Sequence, residues 1–410
     1  MDFSGKTIVI GITGGIAAYK ACDLIRELYR LGAERVICIL TPSAEAFVTP
    51  LTLQALSRQP VYSSELAVDP SGTPIHIVLA QQADALLILP ATADCIAKLA
   101  NGFSDNLVTT TAITFTGKPV LIAPAMNTRM WQHPLTQENV RKLESLPDYT
   151  IIYPSHGQLA CGETGEGHLA DQTTILQHLY RMLHPQAGLY RGVKALVTAG
   201  GTFEPIDPVR VISNRSSGKM GLALADELWA MGADVTLVTT MPPSGRLYKV
   251  LSVQTANDMR EAVLTHAPEN RVIFMAAAVS DYAVANASPQ KIKREREASP
   301  SIELVPNPDI LAELGQQKHP EQILIGFAAE TENLLKNASD KLQRKNLDAI
   351  VANDISRTDI GFAVDENEVT ILFADQSQCT LPKAPKAEIA QQLLELLARR
   401  LNSPRTASSV

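Results

Sequence analysis

The sequence predicts an α/β protein of two three-layer domains, each with helices on both faces of a mostly parallel sheet. Short apolar runs alternate with stretches of helical periodicity, a glycine pair follows the first run of each half, and the same strand, turn, helix, strand order begins at Lys6 and again at Lys194.

In the first half, residues 7–13 (TIVIGIT) form an apolar run that leads into Gly14 and Gly15. Leu24, Leu28 and Leu31 then recur at helical spacing, Gly32 closes that helix, and residues 36–40 form the next strand. In the second half, residues 195–199 lead into Gly200 and Gly201, followed by a longer loop. A helix carrying Met220, Leu224, Leu228 and Met231 ends at Gly232, before a strand at residues 235–239. Further strands are expected at 85–89 and 120–123, and at 272–276, 323–326 and 349–352. Residues 184–192, with Pro185, Gly188 and little periodicity, mark the boundary. Both halves read as Rossmann-like domains, 1–187 and 190–402, with a polar tail at 403–410 that is expected to be mobile.

Composition narrows the partners. A chain of 410 residues with 45% hydrophobic and 19% charged residues and a net charge of −7 is globular and an unlikely match for nucleic acid. No apolar run approaches the roughly 20 residues that cross a bilayer, and the start lacks a signal-peptide shape, so no membrane association and a cytoplasmic location are expected. The five cysteines (Cys22, Cys38, Cys95, Cys161 and Cys379) include no CxxC pair and fit neither a disulfide framework nor a zinc site.

A glycine turn between strand and helix brings backbone N–H groups and a helix N-terminus to an anion, although many such glycines serve only the turn. Neither turn spells GxGxxG, and the second strand of each half ends in Thr41 or Thr239 where a ribose-binding acid is needed, so a nicotinamide dinucleotide is disfavoured. A single-phosphate nucleotide such as FMN suits the first turn better. Gly218 and Lys219 do not complete a Walker motif, because Asn214 holds the position of its first glycine and Met220 follows the lysine.

Residues 14–20 (GGIAAYK), 41–44 (TPSA), 90–93 (PATA), 124–127 (PAMN) and 160–165 (ACGETG) resemble, in that order, the flavin-containing cysteine decarboxylases. The resemblance implies a flavodoxin-like domain that binds FMN through Gly15, Ser43 and Thr92, meets substrate with His76 and Asn127, and uses Cys161 as proton donor. By itself, a histidine between Ile75 and Ile77 reads as a structural residue. The implied chemistry gives these residues a purpose. Loss of CO2 from an N-acylated cysteine leaves a carbanion without a sink, whereas prior oxidation of CH2-SH to a thioaldehyde creates one. Asn127 can orient the carboxylate without holding it as strongly as an arginine would, and His76 can act as base or hydrogen-bond partner. The sequence departs from the family at Pro74 and Ile75, where a small residue usually precedes the histidine, and at His168, where an arginine is common.

Residues 198–207 (TAGGTFEPID), 213–221 (SNRSSGKMG), 276–281 (AAAVSD), 291–293 (KIK), 307–309 (NPD), 326–330 (GFAAE) and 341–348 resemble phosphopantothenate-cysteine ligase. Down to about Leu401 the chain resembles the bacterial bifunctional decarboxylase and ligase family of coenzyme A biosynthesis. That resemblance implies CTP as co-substrate with Mg2+, and 4'-phosphopantothenate and cysteine as the joined partners. Asn214 would hold an acyl-cytidylate and Lys291 would act in its reaction with cysteine. Met275, Ala276, Ala277, Asp281, Pro308, Asp309, Ile310, Leu311, Phe327, Lys341 and Lys345 match nucleotide contacts, with Asp281 also near the metal. By composition, KIKRERE reads as a solvated charged stretch; the resemblance singles out Lys291 but not Arg294 or Arg296. A homo-oligomer is implied, with trimers of the first domain and dimers of the second.

Overall fold

The computed structural model describes residues 1–158, 164–243, 245–293, 301–330, 333–354 and 364–401. The chain divides into two compact units, Met1–Pro185 and Gln186–Val410. Among the described residues, no helix is long and apolar enough to cross a membrane.

In the first unit, β1 (Thr7–Ile12), β2 (Arg35–Leu40), β3 (Val61–Tyr62), β4 (Ala85–Ala91), β5 (Val120–Pro124) and β6 (Tyr149–Ile151) form a parallel sheet in the order β3-β2-β1-β4-β5-β6. Without the short edge strand β3, the order becomes the 2-1-3-4-5 of flavodoxins. Its helices are α1 (Lys20–Arg30), α2 (Pro50–Ser57), α3 (Ile75–Gln82), α4 (Ala93–Ala100), α5 (Leu107–Thr114), α6 (Thr128–Trp131), α7 (Pro134–Glu144) and α8 (Gln172–Leu183). All of β1 is buried, which explains its unbroken apolar run. Ile8, Ile10 and Ile12 face Leu24, Ile25 and Leu28 of α1 and Ile175 and Leu179 of α8. Val9 faces the opposite layer, with Leu79 of α3, Ile96 of α4, Val108 of α5 and Val140 of α7. Each large side chain so buried contributes about 1.5–3 kcal/mol. An antiparallel hairpin, β7 (Ser155–Gln158) and β8 (Thr164–His168), stands apart from the sheet.

In the second unit, β9 (Lys194–Ala199) pairs with β12 (Asp234–Thr239) and β14 (Val272–Met275), with small hairpins at β10 (Phe203–Pro205) with β11 (Val211–Ser213) and at β15 (Tyr282–Val284) with β16 (Leu304–Pro306). With β13 (Lys249–Ser252), β17 (Ile323–Glu330), β18 (Ala349–Asp354), β19 (Glu366–Phe373) and β20 (Gln378–Pro385), the main sheet runs β13-β12-β9-β14-β17-β18-β19-β20. It is parallel as far as β18, and β19 and β20 are antiparallel. One face packs on α9 (Lys219–Ala230) and α13 (Lys386–Leu401) through Leu224, Leu228, Ile389 and Leu393. The other packs on α10 (Ala256–His266), α11 (Ile310–Gln317) and α12 (Leu334–Arg344) through Met259, Val263, Leu314 and Leu342. Several strands outrun their apolar cores: β17 continues to Glu330 and β18 to Asp354, because paired backbone extends beyond the apolar run. The tail at 403–410 lies outside the described residues.

Candidate active sites

The strand order of each main sheet reverses beside its first strand, between β1 and β4 and between β9 and β14. Ligands of open α/β sheets bind in the crevice at the carboxyl ends of the strands at that point.

In the first unit the crevice is built by the turns after β1, β2 and β4. A Cβ on Gly14 would lie 2.4 Å from Ser43 Oγ, so only glycine lets the first turn press against the residues that follow β2. Ser43 Oγ is 3.1 Å from Thr41 Oγ1. Thr13 Oγ1 donates to the Pro90 carbonyl at 2.6 Å and accepts from the Thr92 N–H at 3.1 Å, which stitches the β1 turn to the end of β4. Thr92 caps α4 by accepting from the Cys95 N–H at 3.3 Å. A Cβ on Gly15 would be 3.8 Å from Pro90 and from Thr92. Gly15, Ser43 and Thr92 therefore lie on turns that pack against one another. The close Gly14 turn and the capped N-terminus of α4 suit a phosphate-bearing group.

His76 lies in the first turn of α3, and its Nδ1 is buried with no hydrogen-bond partner among the described residues. An unsatisfied buried polar group costs about 1–3 kcal/mol, a penalty that a ligand would relieve. Asn127 follows β5 and caps α6, its Oδ1 accepting from the Arg129 N–H at 2.9 Å. Directly before it, the Met126 N–H donates to the Gly167 carbonyl at 3.0 Å, so β8 lies on the Asn127 turn. Lys20 Nζ is 3.3 Å from His168 Nε2, and Ser155 Oγ is 3.2 Å from His168 Nδ1. An ammonium can only donate, so His168 accepts on Nε2, carries its proton on Nδ1 and ties the hairpin to α1. Burial lowers the Lys20 ammonium from its usual value. Cys161, between β7 and β8 in the chain, lies outside the described residues. Cys38 and Cys95 are core thiols that burial pushes up to about 12.

The second unit holds a cleft of about 590 Å³ at the carboxyl ends of β14 and β17. It is lined by Asn214 to Gly221, Met275 to Asp281, Asn307 to Leu311, Phe327 to Ala329, Lys341, Lys345, Asn353, Asn367 and Lys386. Helix α9 reaches it closely because a Cβ on Gly221 would lie 2.6 Å from Ala199 Cβ and from the Thr198 carbonyl oxygen. Asn214 Nδ2 donates to the carbonyls of Ala278 at 3.0 Å and Val279 at 3.1 Å, which fixes the amide at the wall. Asp309 caps α11 by accepting from the Ala312 N–H at 3.1 Å, and Lys345 Nζ is 2.9 Å from its Oδ1. Burial alone would raise the Asp309 carboxyl, but Lys345 and the Ala312 N–H outweigh it and hold the group below its usual value.

Five cationic side chains line the cleft, Arg215, Lys219, Lys341, Lys345 and Lys386, against the two acids Asp281 and Asp309. Such walls favour a polyanion. Lys219 Nζ is 2.5 Å from Asp365 Oδ1. Lys386 is buried and donates to the Val364 carbonyl; burial, and then the nearby Lys219, lower its ammonium from the usual value.

Comparison with known proteins finds one family match along each half of the chain. Residues 2–184 match the family described as flavoprotein, and residues 190–401 match the DNA/pantothenate metabolism flavoprotein C-terminal domain. The coenzyme A biosynthesis bifunctional protein CoaBC of Bacillus subtilis (strain 168) is 41% identical over 400 residues, covering 96% of this chain and 97% of the relative. Those of Haemophilus influenzae (42% over 405 residues; 98% and 99%) and Escherichia coli strain K12 (40% over 404 residues; 98% and 98%) are similar throughout. The chain belongs to the bifunctional coenzyme A biosynthesis protein family. It is a coenzyme A biosynthesis enzyme with decarboxylase and ligase activities in one chain.

Within this bifunctional enzyme, the cleft gathers Asn214, Met275, Ala276, Ala277, Asp281, Pro308, Asp309, Ile310, Leu311, Phe327, Lys341 and Lys345. Lys291 is exposed and is not among the lining residues. Lys345 is the C-cap of α12, which ends at Arg344, because Asn346 turns the chain with φ 50°. Sequence reasoning missed Lys386, Asn353 and Asn367. Nothing local marks them: Lys386 opens an amphipathic helix, and only the folding of β19 and α13 beside α9 brings it to the wall.

Proposed function

We propose that the second unit joins cysteine to 4'-phosphopantothenate with CTP and Mg2+ through an acyl-cytidylate. The first unit then decarboxylates 4'-phosphopantothenoylcysteine to 4'-phosphopantetheine with FMN. The observation that carries the ligase reading is the cationic cleft, whose walls include Asn214, Asp281 and the Asp309–Lys345 pair. Asn214, with both amide hydrogens committed to backbone carbonyls, presents Oδ1 to a donor on the acyl substrate. The cleft's lysines offset the charge of the polyphosphate. Among the described residues, no three His, Cys, Asp or Glu side chains cluster to hold a metal. Mg2+ takes one or two carboxylates, here Asp281, with the remaining ligands from phosphate and water. Lys291 neutralises charge as cysteine attacks.

In the first unit, Gly15, Ser43 and Thr92 would hold the flavin, which when bound supplies the reversible two-electron oxidation that makes CO2 a leaving group. His76 handles a proton during oxidation, Asn127 orients the carboxylate and Cys161 returns a proton to the product. The enzyme works in the cytoplasm as a homo-oligomer, with trimers of the first unit and dimers of the second.

The test is cysteine-dependent pyrophosphate release from purified protein with CTP and ATP compared, followed by CO2 release from the thioacid product. The protein should be yellow, prefer CTP and perform both steps. A colourless protein that takes up no FMN on reconstitution, or pyrophosphate release indifferent to cysteine and 4'-phosphopantothenate, would overturn the reading.

A further inference from the structure

Lys291 stands outside the cleft, on a segment between β15 and β16 whose own position depends on a distant turn. Asp207 lies in the turn between β10 and β11 with its side chain fully withdrawn from solvent. Its Oδ1 accepts the N–H groups of Val209 and Arg210, both at 2.8 Å, which completes a local turn. Its Oδ2 accepts from Arg210 Nε at 3.0 Å, from Arg210 Nη2 at 2.5 Å and from the Ile292 N–H at 3.1 Å. Arg210 Nη2 also donates to the Ile292 carbonyl at 2.6 Å. One Asp–Arg pair thus grips both polar groups of the residue directly after Lys291. A second tie joins the same elements, the Ser288 N–H donating to the Ile206 carbonyl at 2.9 Å.

The turn needs only the contacts on Oδ1, which an asparagine could provide. The carboxylate's second oxygen is committed instead to Arg210 and to a backbone 85 positions away. Burial would raise the Asp207 carboxyl, but the N–H groups of Val209 and Ile292 and the Arg210 guanidinium hold it well below the ordinary range. It is therefore charged, and the grip closed, at any neutral assay pH.

We propose that Asp207 is a positioning residue for the ligase: with Arg210 it clamps the backbone at Ile292 and so sets where the Lys291 ammonium stands during transfer of the acyl group to cysteine. This rests on the proposed role of Lys291. In that step the cysteine nitrogen forms the C–N bond as the C–O bond to the nucleoside monophosphate breaks, and the amine proton is lost to solvent. Neither Asp207 nor Ile292 lines the cleft, and the clamp acts only through Lys291, so its effect falls on the transfer step assigned to that lysine.

Rapid-quench kinetics on the full-length enzyme separate the two steps: 4'-phosphopantothenate and CTP alone report activation, and added cysteine reports transfer. Ile292→Pro removes one donor and leaves Asp207 its other partners. Asp207→Asn keeps an acceptor for the turn but weakens the hold on Arg210 and Ile292. Both should slow transfer roughly tenfold, the weight of one hydrogen bond to a charged group, with activation rate and KM for cysteine within about twofold of the parent. Lys291→Gln should slow transfer at least as much. Transfer unchanged in both clamp variants, or activation falling in step with transfer, overturns the clamp while leaving the role of Lys291 standing if Lys291→Gln is slow. Unimpaired transfer in Lys291→Gln overturns that role and the clamp with it.

Discussion

Asn214 donates its side-chain amide to the Ala278 carbonyl at 3.0 Å, so the residue that follows β11 is held by the loop that leaves β14. A carboxylate there would face the carbonyls of Ala278 and Val279 with no hydrogen to offer. Asn214→Asp should lower cysteine ligation about 5- to 150-fold, the loss of two hydrogen bonds worth about 0.5–1.5 kcal/mol each. Decarboxylation of supplied 4'-phosphopantothenoylcysteine should be unaffected. Parallel assays of the two activities in one preparation check this, and an equal fall in both would contradict it.

Gly221 sets how closely α9 approaches β9. Gly221→Ala adds a methyl into a 2.6 Å gap, so the helix must move away from β9, and the cleft wall that α9 forms moves with it. Overpacking of this kind costs about 1–3 kcal/mol. Urea unfolding should report that loss for the second unit, and calorimetry should report weaker CTP binding.

The Asp309–Lys345 pair should carry a defined pH dependence. The Asp309 carboxyl is held below its usual value, so its contribution to stability is fully present above the ordinary carboxylate pKa of about 3.9 and drains only as pH falls through the lowered value. Stability differences between Asp309→Asn and the parent should therefore be flat from pH 8 to pH 5 and shrink below pH 4. Urea titrations across that range measure it. Lys345→Met should weaken CTP binding roughly tenfold throughout.

At the first site, Gly14→Ala would drive a methyl group against Ser43 Oγ. The chain should still fold, since the turn lies outside the apolar core, but it should purify with little flavin. The ratio of flavin to protein absorbance decides the point, and a fully yellow variant would count against this crevice.

Thiol reactivity should sort by burial. Cys38 and Cys95, pushed up to about 12, remain protonated and shielded at pH 8 and should resist iodoacetamide in the folded enzyme. Mass spectrometry of the native and unfolded protein should find both labelled only after unfolding.

Local chemistry was enough to read the architecture. Buried parallel strands announce themselves as unbroken apolar runs, helices as repeating leucines, and close turns as glycine pairs, because each signal concerns neighbours in the chain. No such local signal assigns Gly15, Ser43 and Thr92 to flavin; that assignment rests on the resemblance of their motifs to the flavin-containing cysteine decarboxylases. The sheet edges were less legible: β3 is two residues long, and β19 and β20 turn antiparallel where only pairing partners can say so.

By itself, then, the sequence determined that there are two α/β halves and where their glycine turns fall. Only the tertiary structure decided that Lys386 joins Lys219 at one wall, that His76 keeps a buried nitrogen without a protein partner among the described residues, and that Asp207 reaches Ile292. Burial and hydrogen bonding between residues far apart in the chain depend on how the layers close, and no local spacing encodes that closure.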